Sequence, residues 1–347
     1  MVPEYFVEKS FLFAHVKRIL IIKPSALGDI VHSLPFLAAL RKRFVHASID
    51  WVVAHGLHRF LEGHPMIDRL WVIKKDEWKR TDRLRKTFGE INALRKDLRA
   101  ARYDVSIDLS GLFRSGVISW FSNAPLRLGF RESDEGSPFF YTHKIHGSMN
   151  IHAIDRYLEI AKFMGCPADI VEYPFAPFDP DPPVLGCLPE KFAVICPSAG
   201  KPANRWPADR FGALASRLDI PCVVIAGPNE TDIADEVVVN SGGNAVSFAG
   251  KTGLKDLVAL ISRAEFFICN DTGPMHIAAA LDIPVFAVFG PANPVRTGPY
   301  GSIHTVIQKK LCCSPCYAKK PCTDFMCMNG ISVEDVLKPI NDRMSLR

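Results

Sequence analysis

Three short segments carry residues whose types and spacing suit chemistry on a phosphorylated ligand. Asp271-Thr-Gly-Pro-Met-His276 follows the apolar run Phe266–Cys269 and opens an alanine-rich stretch. Backbone N–H groups of Thr272 and Gly273 at a helix N-terminus can hold phosphate without a metal. Plain capping by Asp271 or Thr272, with proline in the first turn, is the bland reading, and His276 one turn into the helix favours a ligand over it. Lys23-Pro-Ser-Ala-Leu-Gly-Asp29 lies between an apolar run and a helix-spaced stretch. Gly28 permits close backbone approach. Asp29 is read either as a helix N-cap or as a general base, and these residues alone favour the cap. Pro197-Ser-Ala-Gly-Lys-Pro-Ala-Asn-Arg-Trp-Pro207 has small residues beside Lys201 and Arg205, which suits an anion or simply an exposed loop. Gly250-Lys-Thr252 imitates the end of a P-loop, but position 245 is alanine where that loop needs glycine, so ATP hydrolysis is rejected.

These segments need strand-to-helix turns to position them. Arg18–Ile22, Ile49–Val53 and Val105–Leu109 read as buried strands, with a helix over Ile30–Phe44. After Tyr173–Pro189, which holds six prolines, the rhythm restarts. Strands fall at Phe192–Cys196, Cys222–Ala226, Phe266–Cys269 and Val285–Phe289. Helices fall at Asp209–Leu218, Asp256–Arg263 and Met275–Leu281. Proline fixes φ and removes a donor, so the proline-rich segment is a linker. The expected organisation is α/β: two doubly wound domains, 17–172 and 191–330, facing across a cleft, a linker at 173–190 and a C-terminal helix or tail at 331–347. Ligands of such sheets bind at the carboxyl ends of strands.

The chain has 347 residues, 48% hydrophobic and 23% charged, which gives room for two domains and excludes disorder, collagen-like repeats and a coiled coil. No stretch reads as a membrane span or a cleaved leader, so the expected location is cytoplasmic. The net charge of +5 is uneven: Lys74–Arg102 holds eleven Lys or Arg against five acids. Trp78, Leu84, Phe88, Ile91, Leu94 and Leu98 follow helical spacing through this block. Its cations therefore read as the wet side of an amphipathic helix, either a solvated face or a landing site for an acidic partner. No aromatic platform or nucleic-acid motif accompanies them, which argues against a nucleic-acid binder. Of ten cysteines, Cys166, Cys187, Cys196, Cys222 and Cys269 read as small core residues. Cys312, Cys313, Cys316, Cys322 and Cys327 cluster without a clean second C-x-x-C. Reduced structural thiols are favoured over a zinc site, and no metal is expected.

Taken together, KPSALGDIVHSLP, DLSGLFRSG, RWP, GPNE, GKT and NDTGPMHIAAALDIPVFAVFGPANP, in this order, resemble glycosyltransferase family 9, the ADP-heptose:lipopolysaccharide heptosyltransferases. GFRE at 129–132, SPFFY at 137–141 and HAIDR at 152–156 are most similar to its heptosyltransferase I branch, which adds the first heptose to the Kdo region of the inner core. The resemblance implies a GT-B fold of two Rossmann-like domains and an inverting, metal-independent transfer without a cofactor. It implies Asp29 as general base, reversing the reading of the residues alone. Donor contacts would come from Ser198, Lys201, Arg205, Glu230 (ribose), Thr252 (adenine), Asp271, Thr272, Gly273 and His276. Acceptor contacts would come from Ser25, Gly28, Gly111, Arg114 and the basic Lys79, Arg80 and Arg83. The implied partners are an ADP-sugar and a Kdo-lipid A acceptor at the cytoplasmic face of the inner membrane, with the enzyme a monomer. The family carries lysine where this chain has Asn204, so Lys201 or Arg205 would supply that charge. A nucleotide-sugar epimerase on the same fold, or transfer to another core sugar, is the alternative.

Overall fold

The computed structural model describes residues 12–133, 135–319 and 322–345, and Lys79 without its side chain. The N-terminal residues read above for a leader lie largely outside this range. Two compact units divide between Pro177 and Phe178. The division falls within the proline-rich segment, whose regular structure is a single 3-10 turn, Pro183–Leu185.

The first unit is built on six parallel strands: β1 (Arg18–Ile22), β2 (Ser48–Ala54), β3 (Arg69–Ile73), β4 (Val105–Asp108), β5 (Leu126–Phe130) and β6 (His143–Ile145), in the order β3-β2-β1-β4-β5-β6. The second repeats it with β7 (Ala193–Cys196), β8 (Cys222–Val224), β9 (Ala245–Ser247), β10 (Phe266–Asn270), β11 (Val285–Phe289) and β12 (Thr305–Gln308), in the order β12-β11-β10-β7-β8-β9. Counted from its own first strand, each sheet reads 3-2-1-4-5-6, the doubly wound order. Parallel strands need crossovers that cover both faces of the sheet, so central strands become unbroken apolar runs. Ile19–Ile22 and Val285–Phe289 accordingly lie at 0–1% exposure.

Two expectations need correction. The single helix over 30–44 is two, α1 (Leu27–His32) and α2 (Leu34–Arg43), meeting at Ser33. Pro35 causes the break: lacking an N–H and clashing with the preceding turn, it is tolerated only where a helix begins. In the basic block, residues 77–83 form two 3-10 turns before α3 (Leu84–Ala100). There Thr87 and Leu98 are buried, while Leu84 and Phe88 are 63% and 75% exposed, so the apolar stripe is only partly a core face. Arg80 pairs with Asp82 at 2.8 Å and Arg83 pairs with Glu77, which neutralises part of the block locally.

The first unit also holds α4 (Phe113–Phe121) and α5 (Ala153–Phe163), and the second α6 (Ala208–Ala215), α7 (Thr231–Val239), α8 (Leu254–Ser262), α9 (Gly273–Ala280) and α10 (Val333–Met344). Four of the scattered cysteines are buried, but Cys187 is exposed in the proline-rich segment. In the C-terminal cluster Cys312, Cys313 and Cys322 are exposed and Cys327 is buried. Among the described residues no group of three or more His, Cys, Asp or Glu is arranged to hold a metal, and no helix is long and apolar enough to cross a membrane.

Candidate active site

In each sheet the order reverses between the first and fourth strands, and the loops leaving those strands hold the chemistry-bearing segments. In the first unit these are 23–29 after β1 and 109–114 after β4.

Asp29 is the third residue of α1, not its cap; the cap position is Ala26. Alanine has no side-chain acceptor, so only the reciprocal half of a capping box exists. Asp29 Oδ2 accepts from the Ala26 N–H at 2.9 Å and lies 3.6 Å from Lys23 Nζ. Among the described residues Oδ1 has no partner, and the Asp29 side chain is 39% exposed. Helix geometry thus holds one carboxylate oxygen and leaves the other to a ligand. Gly28 is buried behind it and Ser25 is half-buried.

Lys23, the first residue of this motif, ties the loop to the end of β4 and to α5. It is 4% exposed, donates to the Leu109 carbonyl at 3.3 Å and stands 5.1 Å from the centre of the Tyr157 ring. Burial works against its charge, but Asp29, Tyr157 and Asp108 outweigh burial and hold its pKa above the ordinary lysine value. Asp108, at the end of β4, is fully buried, and burial lifts its carboxyl above the usual range. It accepts from the N–H groups of Ser110 (2.8 Å) and Gly111 (3.1 Å) and from the Tyr141 hydroxyl (2.7 Å). Gly129, its register partner on β5, makes room for that tyrosine: a Cβ there would stand 2.3 Å from the Tyr141 ring. Gly111 turns the loop with φ +69°, and Arg114 is exposed on α4. No short motif joins Lys23, Asp108, Tyr141 and Tyr157; only the wide separations of a parallel sheet bring them together.

In the second unit, Ser198, Glu230, Thr252 and Thr272 line one cavity of about 240 Å³ with Gly227, Pro228, Gly250 and Leu257. Gly250, at φ +67°, lets this wall close: a Cβ would stand 3.1 Å from Pro228 Cα. The buried Ser198 hydroxyl has no hydrogen-bond partner among the described residues, an arrangement that calls for a ligand or a water. Lys251 turns away to the Ser247 carbonyl at 2.7 Å instead of lining the cavity.

Thr272 occupies the cap position of α9 but makes no side-chain cap bond. The opening N–H of Gly273 is therefore left outward, as at any uncapped helix start. Asp271 does not cap either; its Oδ2 accepts from Asn204 Nδ2 at 3.3 Å. Burial pushes the Asp271 carboxyl up to about 6, with Lys201 pulling the other way. Of the two candidate cations, Arg205 is engaged by Glu230 at 2.7 Å and by the Ala199 carbonyl. Among the described residues Lys201 reaches only the Tyr317 carbonyl, at 3.4 Å. His276 is buried in the first turn of α9. Asn270, the last residue of β10, holds both ends of the 197–207 loop. Its amide donates to the Pro197 carbonyl (2.6 Å) and accepts from the Trp206 N–H (2.9 Å).

Two doubly wound units, each with its site loops at the point where strand order reverses, follow the GT-B plan of glycosyltransferases. The model of glycosyltransferase family 9 (heptosyltransferase) matches residues 91–324. Lipopolysaccharide heptosyltransferase 1 of Escherichia coli K12 is 28% identical over 300 residues, covering 82% of this chain and 91% of that protein. The crystal structure of the glycosyl transferase family 9 protein from Veillonella parvula superposes with TM-score 0.79 at 26% identity, over 95% of this chain and 98% of that one. E. coli heptosyltransferase WaaC with ADP shares the fold at TM-score 0.75 and 24% identity, over 94% and 99% of the two chains. This chain belongs to glycosyltransferase family 9.

Proposed function

We propose that this glycosyltransferase moves a heptose from ADP-heptose to the Kdo region of the lipopolysaccharide inner core, with inversion and without a metal or cofactor. The observation that carries the reading is Asp29, one oxygen pinned by Ala26 and Lys23 and the other open, at the switch point of the first sheet. Relatives named lipopolysaccharide heptosyltransferase 1 support heptose transfer in lipopolysaccharide synthesis.

In this reading Asp29 Oδ1 takes the proton of the acceptor hydroxyl as its oxygen attacks the anomeric carbon. The anomeric carbon–phosphate oxygen bond breaks with its electron pair on the β-phosphate of ADP. The Gly273 N–H and the dipole of α9 face that growing charge, with Lys201 as the nearby cation. The lined cavity takes the nucleoside, with Ser198 supplying a hydrogen bond and Glu230 reaching the ribose once it shares or leaves Arg205. Asn204 keeps Asp271 in place, where related enzymes carry a lysine at that position. The acceptor meets Ser25, Gly28, Gly111 and Arg114, and the reaction takes place at the cytoplasmic face of the inner membrane.

ADP release measured with ADP-heptose, with and without Kdo-lipid A, tests the reading. Release only with both present is expected; epimerisation or release without acceptor overturns it. Because backbone and lysine hold the diphosphate, turnover should be unchanged in excess EDTA. Loss in EDTA with recovery on adding Mg²⁺ or Mn²⁺ would contradict the metal-free mechanism.

Asp271 adds a pH dependence. With its carboxyl raised to about 6, it gains its charge beside the diphosphate as pH climbs from 5 to 7 and then repels the nucleotide. ADP should bind about fivefold more weakly at pH 7 than at pH 5, most of the tenfold limit that one pKa unit of coupling sets. An Asp271→Asn variant should lose that extra dependence while sharing any that comes from ADP itself. Isothermal titration of both proteins across this range decides the point, and parallel curves would remove Asp271 from the phosphate site.

A further inference from the structure

The carboxyl edge of the first sheet leaves a group of apolar side chains in water. Helices that return antiparallel to parallel strands begin at this edge, so the first turns of α3 and α4 both lie there. Leu84 and Phe88 are 63% and 75% exposed in α3, and Phe113, which opens α4, is 53% exposed. Phe139, in the 3-10 turn Ser137–Phe140, is 90% exposed. That turn packs on α4, α4 packs on α3, and the Phe113 ring meets Phe140 edge-on at 5.3 Å. The four side chains therefore belong to adjoining elements of one edge. Single exposed apolar residues need no explanation, but a group of them does.

Cations are interleaved with these residues. Arg85, Lys86 and Arg114 are exposed and, among the described residues, engaged in no ion pair. They differ in this from Arg80 and Arg83, which already hold acids. The cores of protein–protein interfaces are depleted of charge. Aromatic and aliphatic side chains set among unpaired Lys and Arg match an anionic membrane surface instead.

We propose that this edge docks on an anionic phospholipid bilayer. Leu84, Phe88, Phe113 and Phe139 enter the interfacial layer, and Arg85, Lys86 and Arg114 meet headgroup phosphates. The Asp29 loop leaves β1 at the same edge, so docking turns the open carboxylate oxygen toward a hydroxyl carried at a membrane surface. The turning of Asp29 toward the membrane rests on the transfer reading, but vesicle binding needs neither donor nor acceptor, so each can fail without the other.

Sedimentation of the full chain with vesicles tests it, using phosphatidylglycerol–phosphatidylcholine mixtures against phosphatidylcholine alone. About a hundredfold stronger partition onto the anionic vesicles is expected from three cations at roughly fivefold each. A Leu84→Ser/Phe88→Ser/Phe139→Ser variant should lose most of that binding with its melting temperature unchanged, since all three side chains are exposed. Arg85→Ser/Lys86→Ser should lose roughly fivefold per cation. Val239→Ser, removing an 80% exposed apolar residue from α7 in the other unit, should bind as the parent does. Equal partition onto neutral and anionic vesicles, a triple variant that binds like the parent, or an equal loss in Val239→Ser would each overturn the proposal.

Discussion

Replacing Asp29 with asparagine should lower kcat by about 10²–10⁴-fold, the loss typical when a positioned general base is removed, while ADP affinity stays within about twofold of the parent value. Asparagine keeps the size and an acceptor oxygen for the Ala26 N–H, so α1 should start where it does now and the variant should melt with the parent. What it cannot do is accept the acceptor proton. The separation of kcat from nucleotide affinity is the informative part. A structural role for Asp29 in starting the helix would move stability and leave the rate nearly intact. The measurements are steady-state rates at saturating donor, an ADP titration and a thermal melt of the same preparation. A rate near that of the parent would reduce Asp29 to a helix-start residue.

Trp206→Ala should destabilise the second unit by about 3–5 kcal/mol, as large aromatic truncations in a packed core do. The ring is 1% exposed and packs edge-on against Phe211 at 4.8 Å. Its indole N–H donates to the Ile331 carbonyl ahead of α10, and its backbone N–H donates to Asn270. The truncation therefore opens a cavity and loosens the loop that carries Lys201 and Asn204. Urea unfolding should show a midpoint shift confined to the transition of this unit, with ADP binding weakened before unfolding begins. Trp206→Phe, which keeps most of the ring volume, should recover much of the loss. An alanine variant within about 1 kcal/mol of the parent would show that the indole is not a support of the donor loops.

What could be read directly from the sequence was whatever depends on local composition. β1 at Arg18–Ile22 and β11 at Val285–Phe289 have the bounds read from the sequence, because strands covered on both faces are built mostly of apolar residues. The segments around Asp29 and Thr272 were visible for the same reason: each sits in a few consecutive residues between a strand and a helix. The helix over 30–44 was misread because periodicity counts apolar positions and overlooks what Pro35 does to the backbone. Leu84 and Phe88 keep helical spacing yet stay exposed, because α3 packs its core side through Leu94 and Leu98. Lys23 above Tyr157, Asp108 beneath Tyr141, and the capture of Arg205 by Glu230 join residues from distant parts of the chain. Such pairings follow from strand order, which no short window of residues specifies.

That strand order also has a consequence for assembly. Ile19 pairs with Ile49 on one side but with Val105 on the other, and Ala193 pairs with Phe266 across the second switch point. A chain emerging from the ribosome can form β1, β2 and β3 early, yet the wall opposite Asp29 does not exist until β4 arrives. Each switch point therefore forms only after the loop-closure entropy of a long crossover has been overcome. A fragment ending before β4 could be helical and partly collapsed while lacking the strand beside the Asp29 loop. Pairing of the first and fourth strands, not the onset of secondary structure, thus marks the formation of each switch point.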